Sequence, residues 1–303
     1  MKRLVSCAAL IATQYVSAAA FKLAQKNNAY EFNEIAAQCL AELVKLLISL
    51  RALAVNTDVQ LTKLPKACVA AYGGIALVYV LLNQLGFLLY RLADPGSIVL
   101  LKSMSSGITA ILVTAAGSFQ QCSAVKRNFT GDQAAFLVLQ MAGIAIVNID
   151  PCAGTSLLPA HAYFAVVCAI TLSSCCSIAN ENVLKKFQDV SINTQNSILY
   201  FFGFCFNGIY FLAHKPYFTF FDGFSKIAAL LVFSQALFGV SVSFVLRFAD
   251  STTRTVASAV AVALLFATFG TGHPNVHSAQ HAQTLLACVI IFLSFHLFVQ
   301  KAM

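Results

Sequence analysis

The sequence predicts an all-α polytopic membrane protein with ten transmembrane helices, arranged as two inverted five-helix repeats. Hydrophobic residues make up 59% of the 303 residues and charged residues only 10%, and the mean hydropathy is +0.79. Soluble domains carry about 25% charged residues, so this chain cannot cover a water-facing surface. A charged elbow also occurs twice, as Arg91-Leu-Ala-Asp-Pro-Gly-Ser97 and Arg247-Phe-Ala-Asp-Ser-Thr-Thr253. A repeated elbow in an apolar chain indicates a duplicated membrane unit.

The apolar segments follow one another along the whole chain, with short polar loops between them. A helix needs about 20 apolar residues to cross about 30 Å of hydrocarbon. Ten segments approach this length: 4–21, 32–55, 68–90, 96–117, 133–148, 161–180, 196–213, 227–246, 255–271 and 284–300. No separate soluble domain fits, so 1–303 is interpreted as one transmembrane domain, with the first repeat at 1–150 and the inverted second repeat at 151–303.

The first segment has a second interpretation. Met1-Lys-Arg, followed by an apolar run and small residues, is also the pattern of a cleaved signal peptide. Cleavage would leave nine helices and remove the correspondence between the two halves. The ten-helix interpretation is therefore the one we carry forward.

The orientation follows from the Lys and Arg residues in alternate loops. If the N-terminus is cytosolic, twelve of the 19 basic residues fall on the cytosolic side and five on the opposite side. The other two, Lys45 and Lys102, lie within spans. Both termini are therefore expected in the cytosol, and Glu181 is expected to end the sixth helix there. Five helices per half invert the second half. The net charge of +8 reflects this orientation, so the expected surroundings are a lipid bilayer and not nucleic acid.

No catalytic, metal or cofactor site is predicted. The ten cysteines lie mostly inside apolar runs without a CxxC pair, and the six histidines show no HExxH spacing. The cysteines are interpreted as small buried apolar residues.

Four of the ionisable residues inside or at the edge of the apolar segments are candidates for a functional site. A charge at a helix centre costs about 2.5–3.5 kcal/mol, so each of them needs a reason. Glu42 and Lys45 share one helical face. They form either an ion pair that holds two helices together or part of a cavity lining. Lys102 either extends to the headgroups or faces a cavity. Arg254, at the start of the ninth span, suits a phosphate group beside free backbone N–H groups, or anchors the helix end.

Two aromatic and amide pairs have a spacing of four residues. They are Tyr79 with Asn83 in the third span and Asn196 with Tyr200 in the seventh. Polar groups at this spacing often bond neighbouring helices. An aromatic ring beside an amide also suits a nucleobase, which offers a face to stack on and an edge to bond.

Several stretches, in this order, resemble the nucleotide-sugar transporter family of the drug/metabolite transporter superfamily, and its CMP-sialic acid and UDP-galactose group most. They include Ala41-Glu-Leu-Val-Lys-Leu-Leu-Ile-Ser49, Ser177-Ile-Ala-Asn-Glu-Asn-Val-Leu-Lys185, Gln195-Asn-Ser-Ile-Leu-Tyr-Phe-Phe-Gly203 and 247–258. The resemblance covers nearly the whole chain. It implies exchange of a cytosolic nucleotide sugar, a UDP- or CMP-sugar, for a lumenal nucleoside monophosphate by alternating access in the Golgi or endoplasmic reticulum. It leaves a homodimer or an association with a glycosyltransferase open.

The resemblance also implies which residues bind the substrate. The family's cavity residues in the second, seventh and ninth helices correspond to Glu42, Lys45, Asn196, Tyr200 and Arg254, with arginine replacing a lysine. With the other polar residues in the spans, the predicted substrate-binding set is Glu42, Lys45, Tyr79, Asn83, Lys102, Asn196, Tyr200 and Arg254.

The fourth span departs from the family pattern. Family members carry Tyr-Gln after the elbow and a lysine about two turns on, whereas this chain has Ile98, Val99 and Ser105 at these positions. Lys102, one turn earlier, is a candidate substitute. The alternative function is therefore a non-transporting relative that acts as a membrane scaffold for Golgi or endoplasmic-reticulum enzymes.

Overall fold

The computed structural model describes residues 2–26, 29–56, 65–92, 102, 104–118, 130–147, 160–269 and 278–302. These residues form ten α-helices, a β ladder of two residues per strand and one 3-10 helix. The helices are α1 (Lys2–Ala24), α2 (Glu34–Asn56), α3 (Lys66–Leu92), α4 (Ser105–Ser118), α5 (Gly131–Val147), α6 (Ala160–Lys186), α7 (Ile192–His214), α8 (Lys226–Phe248), α9 (Ser251–Phe269) and α10 (Ser278–Ala302). Strands β1 (Gln25–Lys26) and β2 (Ala29–Tyr30) pair antiparallel between α1 and α2, and the 3-10 helix covers Tyr217–Thr219.

Each predicted apolar segment overlaps one of these helices, which confirms the helical fold class. Within the described ranges, 5 helices are long and apolar enough to cross a membrane by length and composition, namely α1, α3, α6, α7 and α8. Helix α2 has 23 residues but carries Glu42, Lys45 and Arg51 in its central and C-terminal turns. Helices α4, α5, α9 and α10 contribute shorter apolar stretches. The ten-span arrangement stays a prediction, and Asp94, Ile98 and Val99 lie outside the described residues.

Helices from the two halves of the chain pack against each other. Helix α2 lies along α7 and α8, α1 lies along α8 and α9, and α3 contacts α6 and α7. Helix α9 also contacts α4 and α10, and α10 lies along α5. The middle of α9 is almost entirely buried because it is built from small residues, Ala257, Ala259, Ala261 and Ala263 among them. Small side chains let helix backbones approach closely, which is how helices pack in lipid.

The connection between α8 and α9 is tight and held by buried polar contacts. Asp250 Oδ1 accepts a hydrogen bond from the Thr253 N–H at 2.6 Å and so caps the start of α9. Glu181 Oε2 accepts from the Ser251 N–H at 2.7 Å. The prediction that Glu181 ends α6 is wrong, because α6 continues to Lys186 and buries the carboxylate against α9.

Candidate functional site

A cavity of about 320 Å³ lies inside the bundle, among α1, α2, α3, the start of α4, α6, α7, α8 and α9. This volume is in the range of small-molecule sites, which run from about 300 to 1,000 Å³. Seven of the eight predicted binding residues line it: Glu42, Lys45, Tyr79, Asn83, Lys102, Tyr200 and Arg254. The sequence therefore located the charged residues of the described cavity wall and three of its neutral polar ones. Whether these residues bind a substrate stays a prediction.

Glu42 and Lys45 form an ion pair in the wall that α2 contributes. Lys45 Nζ lies 2.5 Å from Glu42 Oε1, and both side chains are largely buried. The Lys45 ammonium also lies 5.2 Å from the centroid of the Tyr200 ring on α7. A cation over an aromatic face gains about 0.5–2 kcal/mol, more when water is excluded. The two alternatives for this pair are thus not exclusive, because it lines the cavity and joins α2 to α7.

Two glycines make room for this pair. A Cβ atom at Gly203 on α7 would lie 2.9 Å from Glu42 Oε2, and one at Gly239 on α8 would lie 2.8 Å from Lys45 Cδ. Both distances are shorter than a normal van der Waals contact, so a larger residue at either position would displace the ion pair. The carboxylate and the ammonium are thereby held against the backbones of α7 and α8.

Tyr200 is fixed by its hydroxyl. Its Oη donates to the Gly239 carbonyl at 3.2 Å and lies 3.1 Å from Ser243 Oγ. These two contacts hold the Tyr200 side chain against α8, and the face of its ring lies next to the Lys45 ammonium. The ring is therefore held in one orientation at the cavity wall.

Arg254 enters the cavity one turn into α9. Its Nε is buried without a hydrogen-bond partner, and among the described residues its guanidinium forms no ion pair. The neighbouring Arg247 behaves differently, because it donates to the carbonyls of Leu184 and Gln188, the latter at 2.7 Å, and so holds the end of α6. Leaving a buried donor unsatisfied costs about 1–3 kcal/mol, and more when the donor belongs to a charged group. Arg254 is therefore the place in this wall where an anionic ligand would be stabilised most.

Lys102 and Ser105 reach the cavity from the fourth predicted span. Lys102 Nζ lies 3.5 Å from the position of a Cβ at Gly86, so its ammonium approaches α3 at a point without a side chain. Of the two alternatives for Lys102, the structure places it in the cavity wall. The wall thus holds a further cation one helical turn before Ser105, the position at which the resemblance implies a lysine.

Asn196 is not among the cavity-lining residues that the structure describes. It is buried, and its Nδ2 has no hydrogen-bond partner in the described part of the chain. Asn196 and Tyr200 share a face of α7, but four residues separate them by about 6 Å along the axis. Its contact with a substrate stays a prediction.

The sequence reasoning missed a set of neutral polar residues in the wall. Asn180 Nδ2 donates to Tyr79 Oη at 3.5 Å, which connects α6 to α3 beside the cavity. The others share a simple signal, because each lies three or four residues from another lining residue on the same helix. They are Gln14, Ser17, Gln38, Ser173, Gln235, Ser243, Thr255 and Ser258.

The donor groups of this wall are mostly cationic or neutral. Across the described residues, no group of three or more His, Cys, Asp and Glu side chains is placed to hold a metal ion. The cavity instead combines three cations, one carboxylate, aromatic rings and amides. This combination suits an organic anion.

A bundle of apolar helices around a polar, cation-lined cavity defines the class of membrane proteins that hold a small charged solute within the bilayer. A family model described as Nucleotide-sugar transporter matches residues 2–271, so the chain belongs to the nucleotide-sugar transporter family. The members of this family are transporters and not enzymes.

Named relatives agree with this membership. The chain is similar to CMP-sialic acid transporter 3 of Arabidopsis thaliana, with 29% identity over 236 residues that cover 74% of this chain and 55% of that protein. It is also similar to CMP-sialic acid transporter 2 of Oryza sativa subsp. indica, with 26% identity over 250 residues, 78% of this chain and 67% of that protein. The match to the Arabidopsis relative thus spans little more than half of that protein's length.

A solved crystal structure has the same fold. It superposes on 99% of this chain and 97% of its own chain with a TM-score of 0.67, at 13% sequence identity. At this identity the likeness concerns the fold alone.

Proposed function

We propose that this protein carries a nucleotide sugar, a UDP- or CMP-sugar, from the cytosol across a Golgi or endoplasmic-reticulum membrane in exchange for a lumenal nucleoside monophosphate. Family membership and the names of the relatives support nucleotide-sugar transport. The observation that carries the proposal is the Arg254 guanidinium in the cavity wall, with its buried Nε unpartnered. A nucleotide sugar and a nucleoside monophosphate both bring phosphate oxygens, which would satisfy this group.

The phosphates are assigned to the cations. Arg254 presents a planar fork of N–H donors that matches phosphate oxygens, and charge-assisted bonds of this kind are about twice as strong as neutral ones. Lys102 supplies a second positive charge to the same cavity. Lys45 is already neutralised by Glu42 at 2.5 Å, so its share in phosphate binding is smaller.

The base is assigned to the aromatic and amide side chains. Tyr200 and Tyr79 offer ring faces or hydroxyls, and Asn83 offers an amide for a base edge. Asn196 joins this group if the bound base extends one turn along α7. Glu42 keeps Lys45 in place and is the candidate acceptor for a sugar hydroxyl.

Alternating access is supported by the helix packing. In two five-helix repeats each helix corresponds to the one five positions away, so α1 corresponds to α6 and α8 to α3. The contact between α1 and α8 therefore corresponds to the contact between α6 and α3, and both contacts are present. In the same way, the contact between α2 and α8 corresponds to that between α7 and α3. The contact between α1 and α9 corresponds to that between α6 and α4. Such a repeated pattern is expected for two five-helix repeats that move against each other around a central site. Ten spans and cytosolic termini complete this proposal, and a homodimer or an association with a glycosyltransferase is compatible with it.

Counter-transport in reconstituted vesicles tests the proposal. Vesicles containing the purified protein are loaded with CMP, UMP, GMP or AMP, and uptake of labelled nucleotide sugars is measured from outside. We expect uptake to be stimulated by one internal monophosphate and to be lost in Arg254→Gln. Arg51→Gln, which removes an exposed arginine of α2 outside the cavity wall, serves as the matched control.

Two results would contradict exchange. The first is uptake that is equally fast into empty vesicles or that stops when a proton gradient is dissipated. The second is a well-folded protein that neither takes up nor binds any nucleotide, which would favour the scaffold function.

A further inference from the structure

The segment 215–225, between α7 and α8, exposes a cluster of large aromatic rings, and we call it the aromatic loop. Tyr217, Phe218 and Phe221 are 78%, 71% and 65% exposed. Large apolar patches rarely face water on a folded protein, and an exposed patch usually marks an interaction surface. The cavity and the proposed transport do not use these rings.

The aromatic loop has a defined conformation. Its 3-10 helix begins after Pro216, and Thr219 Oγ1 donates to the Pro216 carbonyl at 2.8 Å. Phe220 turns back to α7, where its ring centroid lies 4.9 Å from that of Phe211. The rings that face outward are therefore held there by a folded loop.

The inner side of the aromatic loop is attached to the rest of the protein. Gly223 has φ +67°, and a Cβ there would lie 1.9 Å from the Glu31 carbonyl oxygen, so only glycine permits this approach. Phe224 packs against the apolar cluster that contains Phe21 and Phe32. The outward rings thus sit on a firm base beside the start of α2.

The aromatic loop lies between two helices that are candidate membrane spans. Helices α7 and α8 both have the length and composition of membrane spans, and the aromatic loop joins them directly. Its exposed rings continue into exposed apolar residues of the two helices, such as Leu212 at 66% and Leu230 at 48%. A loop this short stays at the membrane surface.

We propose that the aromatic loop is an interfacial membrane anchor. Its outward rings insert between phospholipid headgroups and the upper acyl chains, and the exposed Lys215 and Lys226 lie at the level of the lipid phosphates. Aromatic side chains with flanking lysines are favoured at this depth because they combine an apolar body with a polar edge. The anchor is independent of the substrate that the cavity accepts.

The sequence offers a clean fluorescent test because the protein contains no tryptophan. In full-length Phe218→Trp, the new indole is the only one in the protein. The variant is reconstituted in phosphatidylcholine vesicles whose acyl chains are brominated either near the headgroup or near the chain end. We expect strong quenching by the first lipid, weaker quenching by the second, and little quenching by aqueous iodide.

Three further variants complete the test. Phe221→Trp repeats the measurement at a second outward ring, in case the first substitution disturbs the loop. Ile209→Trp, on the exposed face of α7, should be quenched by lipid bromines at greater depth, and Asp189→Trp, in the turn before α7, should be quenched by iodide. Quenching of both loop variants by iodide alone would place the aromatic loop in water. Protection of both from iodide and bromine would show a protein contact, such as a second copy of the chain. Either result would overturn the anchor.

Discussion

The ammonium of Lys45 lies 5.2 Å from the centre of the Tyr200 ring and so connects α2 to α7 at the wall of the central cavity. The same ammonium is 2.5 Å from Glu42 Oε1. One lysine therefore takes part in an ion pair, a cation–π contact and the cavity lining. We expect changes at this position to affect stability and binding in separable ways.

Lys45→Met should destabilise the protein and reduce transport. The substitution leaves the Glu42 carboxylate largely buried without its cation, and breaking a buried pair in this way costs about 3–5 kcal/mol. In the double variant Lys45→Met/Glu42→Gln no charge remains, so we expect most of the stability to return while transport stays low. Thermal unfolding in detergent and vesicle uptake measure the two effects. Equal stability of the single and double variants would contradict the pairing.

Gly239→Ala and Gly203→Ala should lower the stability of the protein and weaken nucleotide binding. Each added methyl group displaces the Lys45–Glu42 pair, and forcing extra carbon into packed space costs about 1–3 kcal/mol. Gly74 on α3 has no atom within 4 Å of its added Cβ, so Gly74→Ala is the matched control. The control should bind nucleotide normally and gain up to about 1 kcal/mol of helix propensity. Wild-type affinity in both test variants would show that the glycines do not position the pair.

Glu181→Ala should destabilise the protein through the α8–α9 connection. Its carboxylate accepts from the Ser251 N–H at 2.7 Å and from Lys185 Nζ at 2.5 Å, and Lys185 also donates to the Ala249 carbonyl at 3.0 Å. Leaving such a buried donor unsatisfied costs about 1–3 kcal/mol. Asp189→Asn, at an exposed position of the next turn, should stay within about 0.5 kcal/mol of wild type. An unchanged unfolding temperature in Glu181→Ala would refute this role.

The helices were predictable because apolar runs of sufficient length leave few other structures in a bilayer. Charged residues inside these runs are costly, and this is why Glu42, Lys45 and Arg254 could be singled out. Neutral lining residues such as Gln14 and Gln38 are less costly, so the sequence alone gave them less weight. Their spacing along each helix would have identified them if the sequence had shown which face of each helix lines the cavity.

Other features depend on contacts between distant segments. The space at Gly203 and Gly239 has meaning only once α2 is known to lie against α7 and α8. The aromatic loop needs the approach of Gly223 to Glu31, which is a tertiary contact. Asn196 was predicted from its shared face with Tyr200, but a helical face does not tell how far along the axis a cavity extends.

The most direct test of the central claim compares the binding of a nucleoside monophosphate and of its nucleoside to wild type, Arg254→Gln and Arg254→Lys. Binding is read from ligand-induced thermal stabilisation, which rises with ligand concentration over Kd. A hydrogen bond to a charged group contributes about 1.5–3 kcal/mol, so Arg254→Gln should weaken monophosphate binding about tenfold to a hundredfold. Nucleoside binding should change little, and Arg254→Lys should recover part of the loss.

The same experiment also gives the unfolding temperature of each protein without ligand. Because the buried Arg254 Nε has no hydrogen-bond partner in the empty cavity, the empty Arg254→Gln protein should unfold at a higher temperature than wild type. Weaker monophosphate binding in a more stable variant is the result that the account predicts. If Arg254→Gln binds the monophosphate as tightly as wild type, Arg254 does not hold the phosphate and the central claim fails.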